Sequence, residues 1–306
     1  MSRAFVFPGQ GSQYVGMAKD LYENSRPARW MLEQLADAAG FDLIGVMFEG
    51  PEEELRRTEN AQPALFAHSM AVLAALEGAL GDPDMVAGHS LGEYSALAAA
   101  GAIEPAEGIR LVRVRGELMA RAGEQAPGAM AAVIGVDEAE LRRLVAECSA
   151  GTVVIANYNC PGQLVISGEK AAVREVSRAA KEAGARGVIP LKVSGAFHSP
   201  LMAPIAEEFA AFLDEATIRD ARVPVYCNVD ATPHTAAEEL RECLKQQLTG
   251  SVLWEASVRQ MIADGANEFF ELGPKDVLTK MMRRIDQSVR AEAVGSWEQV
   301  SSLLGK

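Results

Sequence analysis

The sequence predicts an α/β fold: an α/β-hydrolase-like large domain with a mostly parallel sheet, and an inserted small ferredoxin-like domain of order βαββαβ. Three observations carry this. Short apolar runs alternate with helical periodicity along most of the 306 residues, the pattern of sheets built from βα units. A middle stretch changes rhythm and sets two apolar runs next to each other with no helix between them. Breakers bracket that stretch, with Gly123, Pro127 and Gly128 opening it and Ser194 and Gly195 closing it. The large domain is therefore expected over residues 1–126 and 194–306, and the small one over 127–193.

In the large domain the apolar run around Val6 reads as a strand. It breaks at Pro8, passes Gly9-Gln10-Gly11 and enters a helical segment near Val15-Gly16-Met17. A long helix over 62–80 leads into a second strand at Met85-Val86-Ala87. Residues 105–122 read as a helix, and a third strand at 268–272 ends at Gly273-Pro274 before a helix over 277–285. In the small domain the expected order is strand 130–136, helix 137–148, strands 153–158 and 164–167, helix 170–183 and a strand over 188–192 that runs on to Val193.

Composition narrows the partners. A net charge of −13 argues against nucleic acid or an anionic membrane as the main partner. No run of about 18 apolar residues exists to span a bilayer. The start, Met1-Ser2-Arg3, enters a strand without the features of a signal peptide. Cys148, Cys160, Cys227 and Cys243 show no CxxC spacing, so no zinc site or disulfide framework is expected. Reduced, packed thiols and a cytoplasmic location follow from that.

Gly88-His89-Ser90-Leu91-Gly92 follows a short strand and precedes an alanine-rich helix that stops at Gly101. This is the G-x-S-x-G pattern in the strand–turn–helix setting of a nucleophile elbow. The bland reading is a serine that only caps the helix; the setting favours Ser90 as a nucleophile. The following helix N-terminus places the Leu91 N–H beside a reacting carbonyl.

A serine needs a base. Of four histidines, His68 sits in an apolar helix, His89 should point away from Ser90 as structural support, and His234 lies in an exposed loop. His198, at the end of a strand where the small domain rejoins the large one, is the best base. No carboxylate between Ser90 and His198 stands out as its orienter, so the residues suggest a dyad held by a backbone carbonyl.

On the helix over 105–122, Arg110, Arg113 and Glu117 share a polar arc at about 100° per residue. Arg115 lies outside it, between Leu111 and Met119 on an apolar row. Either it snorkels outward or meets a structural carboxylate, or it is a buried guanidinium awaiting an anion such as a carboxylate.

The stretches "FVFPGQGSQ", "AGHSLGEYSAL", "VRVRGELM", "GAFHSPLM" and "QQLTGSVLW" occur in the order and spacing of malonyl-CoA:acyl-carrier-protein transacylases, and the chain resembles that family over essentially its whole length. It also resembles acyltransferase domains of polyketide synthases. The resemblance implies transfer of malonyl from malonyl-CoA to the phosphopantetheine thiol of acyl carrier protein through a malonyl-serine, for fatty-acid synthesis. It implies no bound cofactor and no metal, and a monomer is expected. Ser90 matches the acyl-accepting serine, His198 its base and Arg115 the clamp on the malonyl carboxylate. Gln10 matches the second backbone N–H of the oxyanion hole beside Leu91. Gln247 matches the residue whose carbonyl orients the histidine. Asn159 matches a cleft residue, and Phe197 with Leu91 resembles malonyl-selecting members.

The first loop is thereby assigned to an acyl oxyanion rather than a phosphate. After Gly11 the next glycine is Gly16, which breaks G-x-G-x-x-G, and no Gly-Lys-Ser/Thr follows.

For a chain this acidic, a carrier dock needs a local basic patch. Segment 275–290 offers Lys275, Lys280, Arg283, Arg284 and Arg290 against Asp276 and Asp286, five minus two or +3. Lys280, Arg283 and Arg284 are the docking candidates; a solvated helix face is the bland reading. The rival functions are a trans-acting acyltransferase for a polyketide synthase, a serine esterase or thioesterase, which has no need of Arg115, and a non-catalytic carrier-binding module.

Overall fold

Residues 4–7 are buried on both faces of the first strand, which fixes it at the centre of a covered sheet. The computed structural model describes residues 2–193 and 195–305. Met1, Ser194 and Lys306, at the ends of the expected domain segments, lie outside the described residues. Ten strands appear among the described residues: β1 (Ser2–Phe7), β2 (Met85–Gly88), β3 (Gly128–Ile134), β4 (Val153–Cys160), β5 (Gln163–Glu169), β6 (Gly187–Pro190), β7 (Val225–Tyr226), β8 (Pro233–His234), β9 (Ala266–Leu272) and β10 (Arg290–Val294).

Six of them form one sheet in the order β10-β9-β1-β2-β7-β8, parallel throughout except for the β7–β8 hairpin. Alternation along β1 divides the core. Phe5 and Phe7 pack toward the helices Arg26–Ala39 and Thr58–Leu76. Ala4 and Val6 pack toward Trp254–Ala263 and Val277–Ile285. The helix Thr58–Leu76 is apolar nearly all round and correspondingly buried.

The other four strands form an antiparallel sheet in the order β4-β5-β3-β6, with the helices Glu138–Ala146 and Lys170–Glu182 against it. This is the βαββαβ order, with its own core around Leu141, Ile166 and Val176. It is tied to the large sheet's layer by main-chain bonds of Val252 with Ala156 (2.8 Å) and Tyr158 (2.9 Å).

Several boundaries differ from the sequence expectation. No helix forms at Val15-Gly16-Met17: Gly16 has φ +91° and Ala18 φ +62°, and the helix starts at Lys19. The helix expected over 62–80 runs from Thr58 to Leu76, because Glu77 and Gly78 turn left-handed and end it. The strand that leads toward His198 stops at Pro190; Leu191 makes one more bond to the Met130 carbonyl (2.9 Å), and residues 191–193 approach the site as irregular chain. Both outer strands, β8 and β10, carry polar residues at the sheet edge and escape an apolar-run reading.

Candidate active site

β2 delivers the chain into a tight turn at its C-terminal end, where ligands of parallel sheets collect. Ser90 there has φ +52°. A Cβ on Gly88 would run into the Gly92 backbone, and one on Gly92 into the Phe7 carbonyl. The two glycines of G-x-S-x-G are thus required by close approach of strand and helix. The strained turn is held by the Asn228 side chain, whose Oδ1 accepts the Ser90 N–H (2.7 Å) and whose Nδ2 donates to the Gly88 carbonyl (2.7 Å).

Ser90 Oγ lies 2.8 Å from His198 Nε2. On the other side of the ring, His198 Nδ1 lies 2.9 Å from the Gln247 carbonyl and 3.2 Å from that of Gly250. Those carbonyls can only accept, so Nδ1 carries the proton and Nε2 presents its lone pair to the serine. Burial, reinforced by the Arg115 charge, pushes the His198 pKa down to about 3. The imidazole is therefore neutral near neutral pH and free to accept a proton.

Arg115, on the helix Pro105–Gln125, is 1% exposed. It does not snorkel. Its guanidinium donates to Gln62 Oε1 (2.8 Å), Gln247 Oε1 (2.9 Å) and Ser90 Oγ (3.1 Å), and lies 5.7 Å from the Tyr94 ring centre. Its buried Nε has no partner. Among the described residues no carboxylate comes within ion-pairing distance, and burial lowers its pKa. A buried cation with amide partners only, beside a reactive hydroxyl, is suited to an incoming anion.

Ser90 and His198 open on a cavity of about 460 Å³ between the two sheets, lined also by Gln10, Met119, Asn159 and Phe197, while Arg115 does not line it and meets it through Ser90 Oγ. Among the described residues, the N–H groups of Gln10 and Leu91 reach no protein acceptor. Asn159 Oδ1 pairs with His89 Nε2 (2.8 Å), turning that histidine toward the small domain and away from the serine. His68 is fully buried against the Gly295 carbonyl (2.8 Å). His234 is only partly exposed and sits between Asp230 and Glu239.

Lys280, Arg283 and Arg284 lie on Val277–Ile285 but do not line the cavity. Lys280 pairs with Asp276 (2.8 Å), and Arg284 donates to the Pro161 carbonyl (2.6 Å) and to Gln163 (3.2 Å). Of this basic segment the cavity rim takes Lys275, whose ammonium holds the carbonyls of Gly11 (3.2 Å) and Gln13 (3.3 Å).

Sequence reasoning missed Asn228, Gln62 and Glu93. Glu93 is buried, accepts the Asn228 N–H (2.7 Å), and has its pKa raised by burial to about 7. Its signal was a charged residue in an otherwise apolar helix; that of Asn228 was an amide just past a short apolar run, Val225-Tyr226-Cys227. Asn228→Ala orphans the Ser90 N–H and the Gly88 carbonyl, at roughly 1–3 kcal/mol each. A lower urea midpoint and slower acylation of Ser90 are expected; an unchanged midpoint would contradict the bracing role.

Residues 4–302 match the family model described as "Acyl transferase domain". The chain is 44% identical over 299 residues to the malonyl CoA-acyl carrier protein transacylase of Bacillus subtilis (strain 168), covering 97% of this chain and 94% of that one. The structure of an acyl-carrier-protein S-malonyltransferase from Bartonella henselae is similar at TM-score 0.94 and 42% identity, over 100% of this chain and 99% of the other. A malonyl-transacylase solved in complex with a type II PKS acyl-carrier protein is similar at TM-score 0.95 and 39% identity, over the full length of both chains. The chain belongs to the acyl transferase domain family and, within it, to the malonyl CoA-acyl carrier protein transacylases.

Proposed function

We propose that the chain moves a malonyl group from malonyl-CoA to the phosphopantetheine thiol of an acyl carrier protein, in two half-reactions through a malonyl-Ser90 ester. The observation that carries this is Arg115, an unpaired buried guanidinium 3.1 Å from Ser90 Oγ. A thioester with a free carboxylate at its far end places that carboxylate on Arg115 and its carbonyl over Ser90.

In the first half, Ser90 Oγ gives its proton to His198 Nε2 and bonds to the thioester carbon. The oxyanion is held by the N–H groups of Gln10 and Leu91; losing one such donor costs about 2.7–4 kcal/mol. The C–S bond then breaks, and the CoA sulfur leaves with the proton from His198. In the second half the carrier's thiol gives its proton to His198 and attacks the ester. The Oγ–C bond breaks and Ser90 recovers the proton. The carbonyls of Gln247 and Gly250 keep the imidazole aligned throughout. Phe197 and Asn159 shape the acyl pocket.

On this reading the enzyme works as a cytoplasmic monomer with no bound cofactor. It takes neither nucleic acid nor membrane as partner, and it serves fatty-acid synthesis. A polyketide carrier is the second reading, favoured by the relative solved on a type II PKS carrier. The test is a transfer assay with malonyl-CoA and each holo carrier. CoA release matched by malonyl-carrier supports the proposal, and the carrier with higher kcat/KM identifies the pathway. CoA release matched by free malonate would make the protein a hydrolase.

Carrier docking is assigned to the exposed end of Val277–Ile285. Because Arg284 also clamps the 161–163 turn, Arg283→Glu is the cleaner probe. It should raise KM for carrier protein and leave KM for malonyl-CoA unchanged; equal changes in both would remove this surface from docking.

A further inference from the structure

Outside the cavity, the β7–β8 hairpin sets Val225 opposite His234 and closes with the Cys227 N–H on the Thr232 carbonyl (3.2 Å). The helix Ala237–Gln247 buries Leu240, Cys243 and Leu244, packs on the helix Ala203–Glu215, and brings Cys243 beside the hairpin. Two thiols and an imidazole thereby converge: one ligand atom each from Cys227, Cys243 and His234 lie within 4.8 Å of one another. In a tetrahedral zinc site such atoms stand roughly 3.5–3.8 Å apart, given metal–ligand bonds of 2.0–2.3 Å. Small side-chain rotations separate the two arrangements. Both thiols are buried, while the His234 side chain keeps 19% exposure and gives a path inward.

The surroundings suit a ligand histidine. Asp230 Oδ2 lies 2.8 Å from His234 Nε2, and Glu239 Oε2 lies 3.2 Å from Nδ1. Whichever nitrogen binds a cation, a carboxylate holds the other, the usual outer support of a metal-bound imidazole. The donors stand at positions 227, 234 and 243, a spacing with no zinc motif in it. The expectation of no zinc site rested on that spacing, but a hairpin and a helix supply the proximity instead.

We propose that Cys227, Cys243 and His234 form a site for a soft divalent cation of the zinc class, distinct from the catalytic cavity. Binding makes two metal–thiolate bonds and one metal–imidazole bond, releases the two thiol protons to solvent and changes no oxidation state. One coordination position remains, for water or the Asp230 carboxylate. The site joins two segments that hold the reacting pair: Asn228 directly follows Cys227, and Gln247 lies one helical turn beyond Cys243.

The test uses Co²⁺ as probe on the full chain, kept reduced and first stripped with chelator. One Co²⁺ per chain is expected, with thiolate-to-cobalt charge-transfer absorption that Zn²⁺ abolishes by displacement. Cys243→Ser and His234→Gln should each weaken binding at least about tenfold, and Cys148→Ser should not. His234→Gln, on the hairpin surface, carries the test if Cys243→Ser does not fold. Cobalt bound without the charge-transfer band, or unchanged by His234→Gln, would overturn the proposal. So would thiols that form a disulfide in air but take up no cobalt when reduced.

Discussion

Arg115→Ala should lower kcat/KM for malonyl-CoA by about 2–5 kcal/mol, the usual penalty for truncating one partner of a buried, hydrogen-bonded charge pair. That is roughly 30-fold to 5,000-fold. Acylation by acetyl-CoA, which brings no carboxylate, should fall far less. The comparison matters because Arg115 also supports Gln62 and Gln247, and Gln247 aligns His198. Damage to that scaffold would slow both thioesters alike. Loss confined to malonyl-CoA isolates the carboxylate contact, and equal losses would contradict the clamp. Arg115→Lys keeps the charge but not the planar fork, so it should recover only part of the selectivity.

His198→Ala should slow acylation by about 10²–10⁴-fold, the usual contribution of a positioned general base. The pH profile tests the electrostatics around it. Burial and the nearby guanidinium both disfavour the imidazolium, which moves protonation from 6.5 down to about 3. With malonyl-CoA, kcat/KM should stay flat as pH falls through 6.5, where an ordinary histidine would lose half its base. In Arg115→Ala one of the causes of the shift is gone, so the acid limb should move back up. An acid limb at 6.5 in the unmodified enzyme would contradict this account. The same shift acts on stability. Below 6.5 the unfolded chain binds a proton that native His198 refuses, so its contribution to stability is lost as pH falls from 6.5 toward 3. His68, pushed down to about 4 by burial, acts in the same direction.

Legibility in the sequence followed the range of the interactions. Val277–Ile285 was readable because its apolar stripe and the preceding Gly273-Pro274 break are local, and the βαββαβ order because each element there carries its own period. β7 and β8, two residues each, are too short to show a period. At the site, Ser90 sits in a local pattern, His198 stood out as a strand-end histidine paired with that serine, and Arg115 broke the apolar row of its helix, with the resemblance adding the clamp role. Asn228 was hidden because its bond to Ser90 crosses 138 residues, and a side chain bonding to a distant backbone leaves no periodic trace. The thiol–imidazole cluster stayed hidden for another reason: its members are close in sequence, but positions 227, 234 and 243 match no metal-ligand spacing.

The most direct measurement of the central claim is the intact mass of the chain after incubation with malonyl-CoA alone, in the unmodified protein and in Ser90→Ala. The account predicts one malonyl adduct on the unmodified protein, removed by carrier thiol, and none on Ser90→Ala. An adduct that persists in Ser90→Ala, or steady release of free malonate with no adduct at all, would contradict it.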